Sequence, residues 1–289
     1  MIKRSKGEKA FNVFNIIILT FGALLFIMPY WLIISASFTD ELTLLKSGGI
    51  SLFPKKFSTY AYEFLFTTNN YMLLSIWNSV KMTVLGTLIT TFTCLLTAYP
   101  VSKKYLVGRR GIMVYIIFTM LFGGGLIPSY LLVSSIFPDT MWAIIIPGAL
   151  APYYLILIRN YFMSIPDSLE EAATLDGASN MRIFLKIYLP LSVPVIATIV
   201  LFCAVSVWNN WFGPMLYISS KDKYPIQYMI QQLLSSVDSM LGGSSSTGLI
   251  PSESVKMAAV VAASLPIIIV YPFLQKYFIN GMMMGSVKE

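Results

Sequence analysis

The sequence predicts an all-α integral membrane protein with six transmembrane helices and both termini on the cytoplasmic side. Three observations lead there. Hydrophobic residues make up 56% of the 289-residue chain and charged residues only 11%, for a mean hydropathy of +0.73, a usage outside that of soluble domains. Six apolar stretches each approach or exceed the roughly 20 residues needed to cross a hydrocarbon core. Lys and Arg near those stretches also favour one side of the membrane.

The stretches run at about 11–36, 76–101, 112–133, 141–163, 190–218 and 258–278. The first follows Lys3, Arg4, Lys6 and Lys9, as a signal peptide would, but its apolar run is too long for a signal h-region and five more spans follow, so an uncleaved first helix is expected. With the N-terminus inside, 13 Lys and Arg fall on inner segments and 7 on outer ones. The net charge of +7 therefore expresses topology, and no basic stripe supports nucleic-acid binding. Helix breakers interrupt the third span (Gly123, Gly124, Gly125, Pro128), the fourth (Pro147, Pro152) and the sixth (Pro266, Pro272). Backbone groups freed at such breaks must find partners in protein or in a wet cavity.

The chain has no histidine, and Cys94 and Cys203 both fall inside expected spans, where they pack as small apolar residues; a zinc or haem site is not expected. Two longer outer connections are expected at about 37–75 and 219–257, the second containing the flexible run GGSSSTG at 242–248. The segment 50–64 mixes aromatic, basic and proline residues and suits the membrane interface.

The inner connection SIPDSLEEAATLDGASNMRIFLKIYLP (164–190) is polar where the rest of the chain is greasy. Ser168 with Glu171 three residues on fits a capping box, and Pro166 and Asp167 suit a helix start, so a helix over 168–176 is predicted. Gly177 fits the C′ position, where the chain turns left-handed. A second helix is predicted from near Ser179 through Ile183, Phe184 and Ile187 to Leu189 and Pro190. On the first helix Leu169, Ala172, Ala173 and Asp176 share a face by spacing. Glu170 and Glu171 complement the helix N-terminus and could pair with basic groups on a partner. A solvated capped hairpin and a docking surface both fit these residues.

The spacing resembles the EAA signature of binding-protein-dependent ABC importer permeases: E-A-A, three residues, G, nine residues, I-x-L-P. Glu171, Ala172, Ala173, Gly177, Ile187, Leu189 and Pro190 satisfy every element. The stretches LFGGGLIPSYLL (121–132), MWAIIIPGAL (141–150), WNNWFGPMLYIS (208–219) and FLQKYFINGMMMGSVKE (273–289) are similar to the carbohydrate branch of that family, the MalG-like permeases and their LplC/YtcP-type members. The resemblance implies a type-1 (MetI-like) permease domain over 72–280, preceded by an N-terminal tail, first helix and external loop (1–71) and followed by a cytoplasmic tail (281–289). It implies a homologous second permease, two ATPase subunits carrying ATP and Mg, an external solute-binding protein and a carbohydrate substrate. Residues 168–188 would be the coupling helix region, with Glu170 and Asp176 beside the signature positions. Gly285, Ser286, Val287 and Lys288 would form a second ATPase contact.

The chain itself has no G-x-x-x-x-G-K-[ST] phosphate loop and no proposed catalytic constellation, so it is not expected to be an enzyme. In the fifth span, Trp208, Asn209, Asn210 and Trp211 could line a sugar path, because amides donate and accept as hydroxyls do and Trp faces suit the C–H side of a sugar. An interfacial aromatic belt explains them equally well. Asn78 joins this group, with Ser79, Tyr99, Tyr130 and Gln227 as weaker candidates. An importer for a non-sugar solute and a membrane scaffold recruiting a soluble partner are the alternatives.

Overall fold

The computed structural model describes residues 6–46, 50–68, 71–235 and 253–286, and among these it is helical apart from one isolated bridge between Thr39 and Phe57. The order is α1 (Lys6–Ser37), α2 (Glu41–Lys46), α3 (Tyr60–Glu63), α4 (Tyr71–Ser102), α5 (Arg109–Leu121), α6 (Leu126–Ile136), α7 (Trp142–Ile145) and α8 (Pro152–Phe162). Then follow α9 (Asp167–Leu175), α10 (Asn180–Ile183), α11 (Leu189–Leu191), α12 (Val193–Trp208), α13 (Phe212–Tyr217), α14 (Ile226–Ser235) and α15 (Glu253–Ser286). The contacts separate the chain into two compact units, Met1–Asn70 with Gln232–Ser264, and Tyr71–Gln231 with Leu265–Glu289.

In the first unit, α1 is apolar all round and exposes that surface, as a helix solvated by lipid does. Its last turn is closed by hydroxyls: Ser37 Oγ donates to the Ile34 carbonyl (2.7 Å) and Thr39 Oγ1 to that of Ser35 (2.7 Å). The Phe38 ring packs against Phe57 and Tyr62, and Trp31 Nε1 donates to the Leu52 carbonyl (2.9 Å), which ties the aromatic segment 50–64 to α1. The Glu41 carboxylate accepts from the backbone N–H groups of Glu253 (3.1 Å) and Ser254 (3.0 Å) and so caps the start of α15.

In the second unit α4 is the axis, with α12 and α8 packed along it. Gly86 permits the close approach of α12: a Cβ there would lie 3.4 Å from the methyl groups of Val207. Cys94, Ala98, Leu155, Ile158, Phe162 and Ile199 form the middle of the core.

Among the described residues three helices are long and apolar enough to cross a membrane, within α1, α4 and α15, and two bent pairs bring the number to as many as five if each is one span. The expected third span breaks between α5 and α6 by 106°, at a turn where Gly125 takes φ +85°. The start of the expected fifth span bends by 78° between α11 and α12, and its end divides at Asn209–Trp211 into α12 and α13. The expected fourth span is two short helices, α7 and α8, around a turn at Pro147 and Gly148. Pro147 has no N–H, and Pro152 has none to give the Gly148 carbonyl four residues back, so the chain between them lacks regular helical pairing. Side chains on one face of α4 bond the carbonyls at this break: Thr90 Oγ1 to that of Gly148 (3.2 Å), Thr93 Oγ1 to that of Ala149, and Cys94 Sγ to that of Ala151 (3.6 Å), which also accepts from the Leu155 N–H (3.0 Å).

Replacing Thr90 and Thr93 together with valine keeps shape and removes both donors. The unfolding free energy in detergent is expected to fall by about 2 kcal/mol or more, and an unchanged denaturation midpoint would contradict this role.

Candidate functional site

The predicted inner helix is α9, one residue earlier than expected. Pro166 occupies the N-cap with no side-chain cap bond, which puts Ser168 and Glu171 two positions too deep for the predicted capping box. The other end forms as predicted. Gly177 takes φ +78°, its N–H donates to the Thr174 carbonyl (3.0 Å), and the Ala178 N–H reaches back to that of Ala173 (2.9 Å). These two bonds are a Schellman closure, and Ala173 and Ala178 complete it by packing together against the core. Ala173 is thus the member of the predicted stripe turned inward, while Leu169, Ala172 and Asp176 remain exposed.

The two adjacent carboxylates have different surroundings. Glu170 Oε2 accepts from Lys103 Nζ (2.5 Å) and from Tyr188 Oη (2.8 Å), and Oε1 from Tyr105 Oη (3.5 Å). The Lys103 ammonium also lies over the rings of Tyr188 (3.7 Å to the centroid) and Tyr99 (4.4 Å). The Lys103 and Glu170 side chains are only 6% and 17% exposed. Burial pushes the Lys103 ammonium below its ordinary pKa, and the Glu170 carboxylate opposes that shift. Glu171 is exposed and has no ion-pair partner among the described residues. Beside it, Lys104 pairs with Asp167 at 2.8 Å on the surface and holds that carboxyl below its usual range.

The second helix begins near Ser179 as predicted, and Ser179 caps it, accepting from the Arg182 N–H (3.4 Å). A π-helical turn, Phe184–Tyr188, then replaces the regular helix and delivers Tyr188 to Glu170. Ile187 and Leu189 pack against the core, whereas Pro190 is exposed on α11. Tyr99 Oη donates to the Asn180 carbonyl (3.1 Å) and Tyr161 Oη to that of Leu191 (3.0 Å). The loop is therefore bonded to α4 near its middle and to α8 just past its end. It leaves outward a surface of Glu171, Ala172, Leu175 (89% exposed), Asp176 and Met181, next to a cleft of about 600 Å³ between α9 and the end of α4. Lys103 and Tyr188 were not among the site residues read from the sequence; each lies far along the chain from Glu170, and only folding brings them together. Of the predicted tail contacts, Gly285 and Ser286 end α15, and Val287 and Lys288 lie outside the described residues.

At the other end of the unit, Asn78 Nδ2 donates to the carbonyls of Asp222 (2.7 Å) and Tyr224 (3.4 Å), and Ser79 Oγ accepts from the Ile226 N–H (2.7 Å). The WNNW run ends α12. Asn210 Oδ1 accepts from the Gly213 N–H (3.0 Å) and starts α13, while the exposed Asn209 accepts from Gln227 Nε2 (3.3 Å). Trp208 is buried and Trp211 is 40% exposed. Tyr130 stacks on Tyr217. Asp139 was missed in the sequence. At φ +51°, it accepts from the Ser219 N–H (2.8 Å), Ser220 Oγ (2.5 Å) and Lys223 Nζ (2.7 Å), and the Lys223 ammonium with the Ser220 hydroxyl holds its carboxyl far below the usual range.

The sequence profile of the binding-protein-dependent transport system inner membrane component family matches residues 2–283. The chain belongs to this family of permeases. The permease is 42% identical over 287 residues to Protein LplC of Bacillus subtilis (strain 168), covering 98% of this chain and 97% of that one. It is 42% identical over 270 residues to the polygalacturonan/rhamnogalacturonan transport system permease protein YtcP of the same organism, covering 92% and 94%. A crystal structure of a bacterial ABC transporter involved in import of the acidic polysaccharide alginate superposes with a TM-score of 0.82 at 32% identity, over 96% of this permease and 100% of the matched chain. The all-helical importer-permease fold expected from the sequence is the fold observed.

Two outcomes check this geometry. Open space surrounds the position of an added Cβ at Gly177, so Gly177→Ala carries only the left-handed backbone cost, about 1–2 kcal/mol; faster amide exchange at Gly177 and Ala178 is expected, and unchanged protection would contradict the closure. Asp139→Asn keeps a residue type that tolerates positive φ but loses the ion pair. Because the folded carboxyl is depressed, its stabilisation is present above the unfolded pKa of about 3.9 and is lost as pH falls below it. The variant should therefore melt earlier than the parent at pH 7 and converge with it toward strong acid; a gap independent of pH would contradict the assignment.

Proposed function

We propose that this chain is one permease subunit of an ATP-driven carbohydrate importer, contributing half of the translocation pathway for an oligosaccharide or glycoside. Family membership supports the transporter class, and the carbohydrate transport named for YtcP and for the alginate importer supports the substrate class. In this reading six crossings place both termini in the cytoplasm, in the cell membrane of a bacterium, with the fourth crossing made by α7 and α8 around the turn stapled to α4. The 13 to 7 bias of basic residues supports that orientation. The permease domain runs over about 72–280.

The observation that carries the proposal is the firmly anchored loop at 164–190, whose EAA-signature residues divide by function. Ala173, Gly177, Ile187 and Leu189 shape and seat the loop; Glu171, Ala172, Leu175 and Asp176 face outward to meet a cytoplasmic ATPase. ATP and Mg belong to two such ATPase subunits, so this chain is not itself an enzyme. A homologous second permease supplies the other half of the path, and an external solute-binding protein delivers the sugar. The tail residues Gly285, Ser286, Val287 and Lys288 form a second ATPase contact. On the outer side, Asn209 with Gln227, beside Asn78 and the exposed face of Trp211, offers amides and an indole face to a sugar. Trp208 and Asn210 support them, one as buried packing and the other as a helix cap.

The test is ATP hydrolysis by the complex in vesicles, loaded through its external binding protein with a panel of neutral and uronate-containing oligosaccharides. Stimulation by at least one sugar is expected, and Asn209→Ala should lower uptake of that sugar several-fold with the complex intact. Stimulation only by non-sugar solutes, or none by any, would overturn the carbohydrate reading.

A further inference from the structure

A buried ion pair is weak evidence of stability, because desolvating both charges cancels much of their attraction and apolar residues of similar size do as well. What such a pair supplies is a fixed, directional geometry. The Lys103 ammonium meets one carboxylate oxygen at 2.5 Å and two aromatic faces, and that same oxygen accepts the Tyr188 hydroxyl. The three residues belong to three segments. Glu170 sits in α9, Lys103 directly follows α4, and Tyr188 closes the π-helical turn leading to α11 and α12. Helix α4 has 32 residues, so it extends about 48 Å at 1.5 Å per residue, from this cluster to the end that carries Asn78 and Ser79.

Resting on the proposed function above, we propose that Lys103, Glu170 and Tyr188 are positioning residues that tie α9 rigidly to the inner end of α4. A displacement imposed on the outer surface of α9 then moves α4 as a lever and does not dissipate in the loop. The tie stays closed through the transport cycle. Glu170, the residue before the signature Glu171, thus serves the inside of the subunit while Glu171 serves the outside.

The experiment is electron-spin distance measurement between labels at Ser168→Cys on α9 and Phe92→Cys on α4, both exposed positions outside the outward surface of Glu171, Ala172, Leu175 and Asp176, with the native Cys94 and Cys203 buried away from the reagent. The complex is assembled with its ATPase in lipid nanodiscs, and nucleotide-free and vanadate-trapped states are compared. The parent should give one narrow distance that is the same in both states. Lys103→Met and Glu170→Ala should broaden it or shift it on trapping, Lys103→Arg should restore it, and sugar moved per ATP hydrolysed should fall several-fold only in the broken variants. Variants that bind the ATPase and keep the narrow distance and the parental stoichiometry would overturn the tie. So would a parent whose distance changes on trapping. Failure of the parent to capture any ATPase would instead overturn the proposed function on which the tie rests.

Discussion

A backbone carbonyl that loses its helical donor inside a membrane has no water to replace it, and most of this structure depends on how that demand is met. Helix α4 meets it. Thr90, Thr93 and Cys94, adjacent on one helical face, donate to the carbonyls of Gly148, Ala149 and Ala151. The chain can therefore break between α7 and α8 without leaving these carbonyls unpaired. The break sets the line of α8, which packs along α4 and ends at Phe162 in the core; the inner loop begins from that point. A continuous helix through 141–163 would send the loop elsewhere.

From α8 onward the same logic is local. Ile165 is buried, Pro166 starts α9, and the Schellman closure at Gly177 turns the chain so that Ala178 lands beside Ala173. Small side chains are needed there because the closure and the core share one space. The following π-helical turn brings a tyrosine to a carboxylate across the loop. A loop so firmly held supports the proposed coupling role, since a loosely solvated hairpin would not pass force.

Much of this was legible in the sequence where the determinants are close along the chain. The end of α9, the left-handed Gly177 and the start of α10 near Ser179 depend on neighbours within a few residues. The capping box failed for an equally local reason, since Pro166 took the cap position and moved the helix start. The parts that could not be read are tertiary. Nothing near Glu170 in sequence points to Lys103, which topology counted only as an inner positive charge, and nothing near Asp139 points to Ser219 and Lys223. The breakers Pro147 and Pro152 marked the interrupted fourth span in the sequence, but not that hydroxyls on α4 would be the partners of its freed carbonyls. On the outer side, the two tryptophans and two asparagines of WNNW looked alike in sequence, but burial, capping and exposure give them different tasks.

The most direct test of the outward surface of α9 as the docking face is site-directed photocrosslinking from Ala172 in the complex purified from membranes. A crosslinker at that exposed position should form an adduct with the ATPase subunit, and the same group at the inward Ala173 should not. Adducts only with lipid, with another permease or with a soluble protein that lacks an ATP site would contradict the account.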